Sequence, residues 1–274
     1  MKNWILFLLL ILMGCSSKSP PPNSQSKSVK GEYISRLHND TQFQVDPMLP
    51  VKKTAYPWDD GSRGSSSKIT KDFFRCKGSI LNPVHIVTKE KETARYYDCG
   101  GSQKHSLPLR DNKEFAYQIM IDLLNYIQDV TGKRVVITCG HCCPDHNLYL
   151  DPSSSNQTSK HLMGAEVDFY VQGMEQQPEK VIDLIFAYYT QMPKYKGLKD
   201  YQFIRYEKDD KINVTTKPWY NKEIFVKLYK KNEGRDLDNR HPYPYISLQV
   251  RYDDELKEKV NFSWKQAYEN YHRY

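Results

Sequence analysis

Residues 137–171, ITCGHCCPDHNLYLDPSSSNQTSKHLMGAEVDFYV, decide how this chain is read. The stretch opens on the end of an apolar run, Val135 to Ile137, and then crowds Cys139, His141, Cys142, Cys143 and His146 together. A polar loop follows and ends on His161 and Asp168, seven positions apart. Asp168 lies in a strand-like alternation. Val167, Phe169 and Val171 take one face, toward the helices, and Glu166, Asp168 and Tyr170 take the other. A carboxylate on the face away from the core, preceded by a loop histidine, supplies two ligand types that zinc prefers. Catalytic zinc sites use three protein ligands and a water. The same residues also suit an exposed polar face with a loop histidine and no metal.

Working outward, Leu107-Pro108-Leu109 leads into a helix start at which Asp111 or Asn112 caps and Glu114 favours the positive end. Phe115, Ile119, Leu123, Tyr126, Ile127 and Val130 recur at helical spacing until Gly132 ends the run. Residues 134–138 form the next strand. Beyond the opening stretch, Pro178 fits the first turn of a second helix over 179–191, with Val181, Leu184, Ile185 and Tyr188 as its apolar stripe and Pro193 as its stop. Residues 201–206 (YQFIRY), 223–229 (EIFVKLY) and 245–252 (YISLQVRY) alternate as strands, and a short run at 84–87 is a candidate first strand. The tail carries Phe262, Trp264, Tyr268 and Tyr271 and is expected to be helical and packed back on the domain. This order predicts an α+β fold, a mostly antiparallel sheet packed by two main helices.

The N-terminal part sets the expected compartment. Lys2 gives a positive start, 4–13 is an apolar core too short to span a bilayer comfortably, and Gly14-Cys15 follows. LMGC resembles the lipobox of bacterial lipoproteins, which implies a signal peptide over 1–14 and acylation of Cys15. Several acyl chains on one residue anchor firmly, at about 0.8 kcal/mol per buried methylene. The expected location is therefore the bacterial cell envelope, on the extracytoplasmic face of a membrane. Residues 15–68 read as a lipidated tether and a weakly ordered arm, because their Ser, Pro and Lys content cannot bury a core. Residues 69–274 are enough for one domain. The net charge is +7, with 21 tyrosines. An exported lipoprotein meets little nucleic acid, so acidic wall polymer or anionic lipid headgroups are the better partners for that charge, and the same charge also suits a solvated surface with no partner.

Beside Cys15, five cysteines remain: Cys76, Cys99, Cys139, Cys142 and Cys143. Outside the cytoplasm disulfides are the default. Cys76 with Cys99 would make a staple worth about 2–4 kcal/mol. At most one further pair can form among Cys139, Cys142 and Cys143, and the sequence does not fix it. A tight metal knot made of Cys139, His141, Cys142, Cys143 and His146 is a third arrangement, one that would be strained.

SKHLMGAEVDFYV resembles the S-x-H-x-x-G-x-x-x-D segment of the zinc D-alanyl-D-alanine carboxypeptidase and peptidoglycan endopeptidase family (peptidase M15), whose fold is shared with the hedgehog signalling domain. ITCGHCCPDHN resembles that family's T-S-G-x-R-C-P-x-H-N turn. Together the two segments cover about thirty-five residues in the family's order. The resemblance implies a hedgehog/DD-peptidase-like fold, one zinc ion, and hydrolysis of D-amino-acid-containing peptidoglycan stem peptides. It implies His161 and Asp168 as zinc ligands, Ser159 and Gly164 as loop-shaping residues, and His141, Cys142 and Ser159 on the substrate side. Two departures stand out. The family's arginine falls on Cys142, and the last clear strand carries Ser247 where a third histidine ligand is expected. DNRH, with Asp238 three residues before His241, resembles the family's acid-x-x-His arrangement, which would make His241 the third ligand and Asp238 the catalytic base. Arg235, Arg240 or Arg251 would stand in for the missing arginine. The alternative function is an M15-like lipoprotein whose catalytic set has decayed and which binds wall peptide or serves as a scaffold.

Overall fold

A computed structural model describes residues 67–89, 92–207, 213–234 and 243–274. Cys15, Arg235, Asp238, Arg240 and His241, with the expected signal peptide and nearly all of the expected arm, lie outside the described residues. No helix among the described residues is long and apolar enough to cross a membrane.

The fold is α+β with antiparallel sheets, as expected. A hairpin of β1 (His85–Lys89) and β2 (Glu92–Tyr96) precedes a second, very short one of β3 (Leu109–Arg110) and β4 (Lys113–Glu114). Next come helix α1 (Gln118–Thr131), strand β5 (Val135–Cys139), helix α2 (Pro144–Leu150), strand β6 (Glu166–Val171) and helix α3 (Pro178–Gln191). Strands β7 (Ile204–Arg205), β8 (Trp219–Tyr220), β9 (Ile224–Tyr229) and β10 (Tyr245–Val250) follow, and helix α4 (Trp264–Tyr268) lies near the C-terminus. The principal sheet has the order β5-β6-β10-β9-β8-β7, and every pairing in it is antiparallel.

The alternation seen in the sequence sets the layers. Val167, Phe169 and Val171 of β6 are buried with Val226 and Leu228 of β9 and Ile246 and Leu248 of β10. Against them pack Ile119, Met120, Leu123, Leu124 and Ile127 of α1 and Val181, Ile182, Ile185 and Tyr188 of α3. Burying one such side chain is worth about 1.5–3 kcal/mol, so these two helical stripes hold the sheet flat side inward. Helix α1 stops at Gly132, whose φ of 61° puts it in the left-handed region and whose N–H returns to the Gln128 carbonyl. Pro178 occupies the first turn of α3, as its fixed φ predicts.

Three local readings differ from expectation. Asp111 and Asn112 do not cap α1; with φ of 50° and 59° they form the two-residue turn of the β3–β4 hairpin. Short polar side chains serve both roles, and a turn of this kind needs positive φ at both centres. Helix α1 therefore begins four residues beyond Glu114. That glutamate turns back to receive a two-pronged pair from Arg75, at 2.6 and 2.7 Å. The candidate strand at 201–206 is strand only over β7, since a 3-10 turn at Lys199–Tyr201 precedes it. Of the run at 84–87, residues 85–87 belong to β1, which pairs only with β2 and lies outside the principal sheet.

Glu223, just before β9, is buried and accepts hydrogen bonds from the Tyr189 hydroxyl at 3.0 Å and the Tyr195 hydroxyl at 3.3 Å. Burial pushes its carboxyl above the ordinary range, against the pull of those two hydroxyls. A folded-state value above the unfolded one means that the group adds stability as pH falls through the folded value, fully so below the unfolded value of about 4.3. Urea denaturation of the native chain and of Glu223→Gln between pH 7 and pH 4 should show the native chain gaining on the variant as pH drops. A difference that stays flat or moves the other way contradicts this account of Glu223.

Candidate metal centre

Strand β6 runs between β5 and β10, so its outward carboxylates are flanked on both sides by backbone. A register shift between Ile137 and Cys139 places Cys139 opposite Asp168. On the other side Ser247 is opposite Asp168 and Gln249 opposite Glu166. Both carboxylates are buried.

The loop before β6 brings His161 over them. Ser159 precedes a 3-10 turn, Lys160–Met163, and its hydroxyl accepts from the His161 N–H at 3.3 Å. Gly164 closes that turn with φ of 66°, and its N–H goes to the His161 carbonyl at 3.0 Å. The chain thereby reverses within a few residues, and His161 points back at the strand that follows it. A Cβ on Gly164 would also stand 3.0 Å from Pro108 Cγ, so both conformation and space favour glycine.

His161 Nε2 lies 3.4 Å from Asp168 Oδ2 and 3.9 Å from Glu166 Oε2. Its Nδ1 is 2.8 Å from the Gly140 carbonyl, which can only accept, so Nδ1 carries a proton. A neutral ring then presents the Nε2 lone pair to two carboxylates. That is repulsive unless a second proton or a cation stands between them. Burial lowers the proton affinity of this imidazole, but Cys139, Glu166 and Asp168 outweigh it and hold the ring well above the usual histidine range. Glu166 Oε1 accepts from Ser247 Oγ and Gln249 Nε2, both at 2.8 Å. Burial would raise this carboxyl, yet His161, Lys227 and those two donors bring it to about 2. Asp168 moves the other way, raised by burial. Its Oδ1 is buried and has no hydrogen-bond partner among the described residues.

These three residues form one of several buried groups of Cys, His, Asp and Glu that could hold a metal ion. Nitrogen and oxygen ligands at about 2.0–2.2 Å from a tetrahedral ion stand roughly 3.3–3.6 Å apart. The 3.4 Å contact fits that spacing and the 3.9 Å contact is slightly open. The donor set, the partnerless Asp168 oxygen and the fixed His161 tautomer all suit a divalent cation.

The group lies at the floor of a cleft of about 540 Å³. Ser159, Lys227, Tyr229 and Gln249 are among its other walls. Of the residues expected on the substrate side, only Ser159 lines it. His141 and Cys142 are each 1% exposed and sit behind the site. Cys142 donates its N–H to the His161 carbonyl at 3.1 Å, and its sulfur is 2.7 Å from that of Cys139. Among the described residues His141 has no hydrogen-bond partner on either ring nitrogen, and burial takes its pKa down to about 3. Arg251 faces away, donating to the Asn221 carbonyl with its guanidinium over the Tyr220 ring. No two of the five described cysteines are joined in a disulfide. Cys76 and Cys99 do come together, as a pairing would require, but Cys143 joins them and Cys139 does not.

Two residues of the site escaped the motif-based reading. Glu166 shares a strand face with Asp168, and alternation alone places it there. Lys227 is opposite Ser247 on β9 and looks into the cleft. Its only sequence signal is a cation at a polar position of an otherwise apolar strand. No protein-family model matches the chain, and neither do any curated protein or solved structure.

Because Gly164 aims His161, Gly164→Ala should cost about 1 kcal/mol or more of folding stability by urea denaturation. The same variant should also retain less metal when prepared beside the native chain. A variant as stable as the native chain removes the positional argument for this glycine.

Proposed function

We propose that this chain is a zinc-dependent hydrolase of D-amino-acid-containing peptidoglycan stem peptides, on a hedgehog/DD-peptidase-like fold. The observation that carries the proposal is the convergence of His161 Nε2 with Asp168 and Glu166 on a cleft floor, with an Asp168 oxygen left unpartnered. The spacing of His161 and Asp168, with Ser159 and Gly164 between and before them, supports the family assignment because both loop residues act as that motif requires.

In this reading His161 and Asp168 hold the ion. When bound, zinc supplies an activated water and polarises the scissile carbonyl. Ser247 and Gln249 orient Glu166, which keeps its charge and its direction fixed. Gly140 fixes the His161 tautomer in the same way. Lys227 faces the cleft and supplies a cation for substrate carbonyl or carboxylate oxygens, the task that an arginine at position 142 would otherwise have. Loss of such a charge-assisted hydrogen bond costs on the order of 1.5–3 kcal/mol. Asp238 is the proposed base, and His241 is proposed as third ligand in place of Glu166, so that a position stays open for water; both lie outside the described residues. Lipidation at Cys15 would hold the domain beside its wall substrate.

The occupancy of the strand position opposite Asp168 by Ser247 favours a second reading, a wall-peptide binder without turnover. Purified protein supplied with zinc and a D-Ala-D-Ala-terminated stem peptide separates the two. Hydrolysis that stops with chelator, returns with zinc, and falls at least a hundredfold in His161→Ala and Asp168→Ala supports the hydrolase. Binding without turnover, unchanged in those variants, supports the binder. Lys227→Ala should raise KM or lower kcat by roughly tenfold or more without releasing the metal.

A further inference from the structure

Cys76, Cys99, His105 and Cys143 form a second cluster, away from the cleft. All four are buried, and one ligand atom from each lies within 4.8 Å of every other. The Cys76 and Cys99 sulfurs are 3.7 Å apart, and the Cys99 sulfur is 3.6 Å from His105 Nε2. Cys143 touches Cys76, Cys99 and His105. A disulfide holds its sulfurs at about 2.05 Å, much closer than this. A tetrahedral zinc ion, with about 2.3 Å to sulfur and 2.0–2.1 Å to nitrogen, holds two sulfurs roughly 3.8 Å apart and a sulfur and a nitrogen roughly 3.6 Å apart. Both observed spacings match those edges.

We infer that Cys76, Cys99, His105 and Cys143 bind a structural zinc ion, closed by four protein ligands and distinct from the cleft. The surroundings are built as such a site requires. His105 Nδ1 is 3.1 Å from the Ser106 carbonyl, which fixes the tautomer and leaves Nε2 free to ligate. Backbone N–H groups point at two of the sulfurs, Gly101 to Cys99 at 3.3 Å and His146 to Cys143 at 3.4 Å, and such donors favour thiolate over thiol. Gly78 and Gly101 let the backbone fold tightly around the cluster. A Cβ on Gly78 would fall 2.2 Å from the Cys99 sulfur, and one on Gly101, at φ of 66°, 2.3 Å from the Gly78 carbonyl oxygen. Cys3His with no open position is a structural donor set, not a catalytic one.

The ligands explain what the ion does. Cys76, Cys99 and His105 come from the irregular segment that carries the β1–β2 hairpin, which pairs with no strand of the principal sheet. Cys143 caps α2, in the turn whose first residues, Cys139 and Gly140, touch His161. One zinc therefore pins the hairpin segment to the turn behind the candidate metal centre, a task that the sequence alone would give to a Cys76–Cys99 disulfide.

The full chain carrying His161→Ala, purified with zinc and desalted, isolates this cluster from the cleft. It should keep about one zinc per chain. Replacement by cobalt should give an intense near-ultraviolet sulfur-to-cobalt band that survives the added pair Cys139→Ser and Cys142→Ser and is lost with the added pair Cys99→Ser and Cys143→Ser. In the native chain, which needs no variant to fold, a mercurial that blocks thiols should release zinc in step with modification. A Cys76–Cys99 disulfide in peptide mass mapping, a zinc-free His161→Ala protein that is still folded, or a cobalt band lost only with Cys139 and Cys142, overturns the inference. None of these readouts depends on whether the cleft hydrolyses a peptide.

Discussion

Two carboxylates buried side by side on a central strand need positive charge. Glu166 and Asp168 stand on the same face of β6 with a strand on each side of them, so water cannot solvate them freely. Removing an ionised carboxylate from water costs several kcal/mol unless opposite charge and hydrogen bonds replace what is lost. Glu166 has both, from Ser247, Gln249 and the field of Lys227 and His161. Among the described residues Asp168 has only His161, and its Oδ1 has no hydrogen-bond partner. A divalent cation at that point would satisfy Asp168, the Nε2 lone pair of His161 and the second oxygen of Glu166 together.

The rest of the molecule serves to keep that arrangement in register. The apolar alternation of β6 locks its carboxylates outward, because a slip of one residue would bury Glu166 and Asp168 against α1 and α3 and expose Val167 and Phe169. Gly132 ends α1 one short turn before β5, which pairs with β6, ends on Cys139 and leads into Gly140. Gly164 reverses the chain so that a histidine five residues before Glu166 reaches over it. Each of these devices is local, and each would be without effect if the core did not hold the sheet.

Much of this was legible from residue patterns. The two helices and the four longer strands of the principal sheet follow from periodicity and the antiparallel class from the order of elements; His161 and Asp168 stand out by residue type, while Ser159 and Gly164 are singled out only by the family resemblance. What was hidden depends on distance along the chain. The resemblance puts Ser247 at the ligand position, but that it stands opposite Asp168 and donates to Glu166 depends on strand register, which is set by side chains in the core. The convergence of Cys76, Cys99 and His105 with Cys143 joins residues 38 to 67 positions apart through irregular loops, which have no periodicity to read. Asp111 and Asn112 were ambiguous for a different reason: the same short polar side chains cap helices and sit at positive φ in hairpin turns. The family resemblance puts His141 on the substrate side, and only packing shows it to be sealed in the interior.

The central claim is that the loop ending at Gly164 and the outward face of β6 together hold a metal ion. Crystals of the zinc-loaded protein, measured on both sides of the zinc absorption edge, test it without reference to activity. The account predicts an anomalous peak at about 2.0–2.2 Å from His161 Nε2 and from an Asp168 carboxylate oxygen. A cleft floor without anomalous signal, with His161 donating a proton directly to Asp168 in protein that has been exposed to zinc, would contradict it.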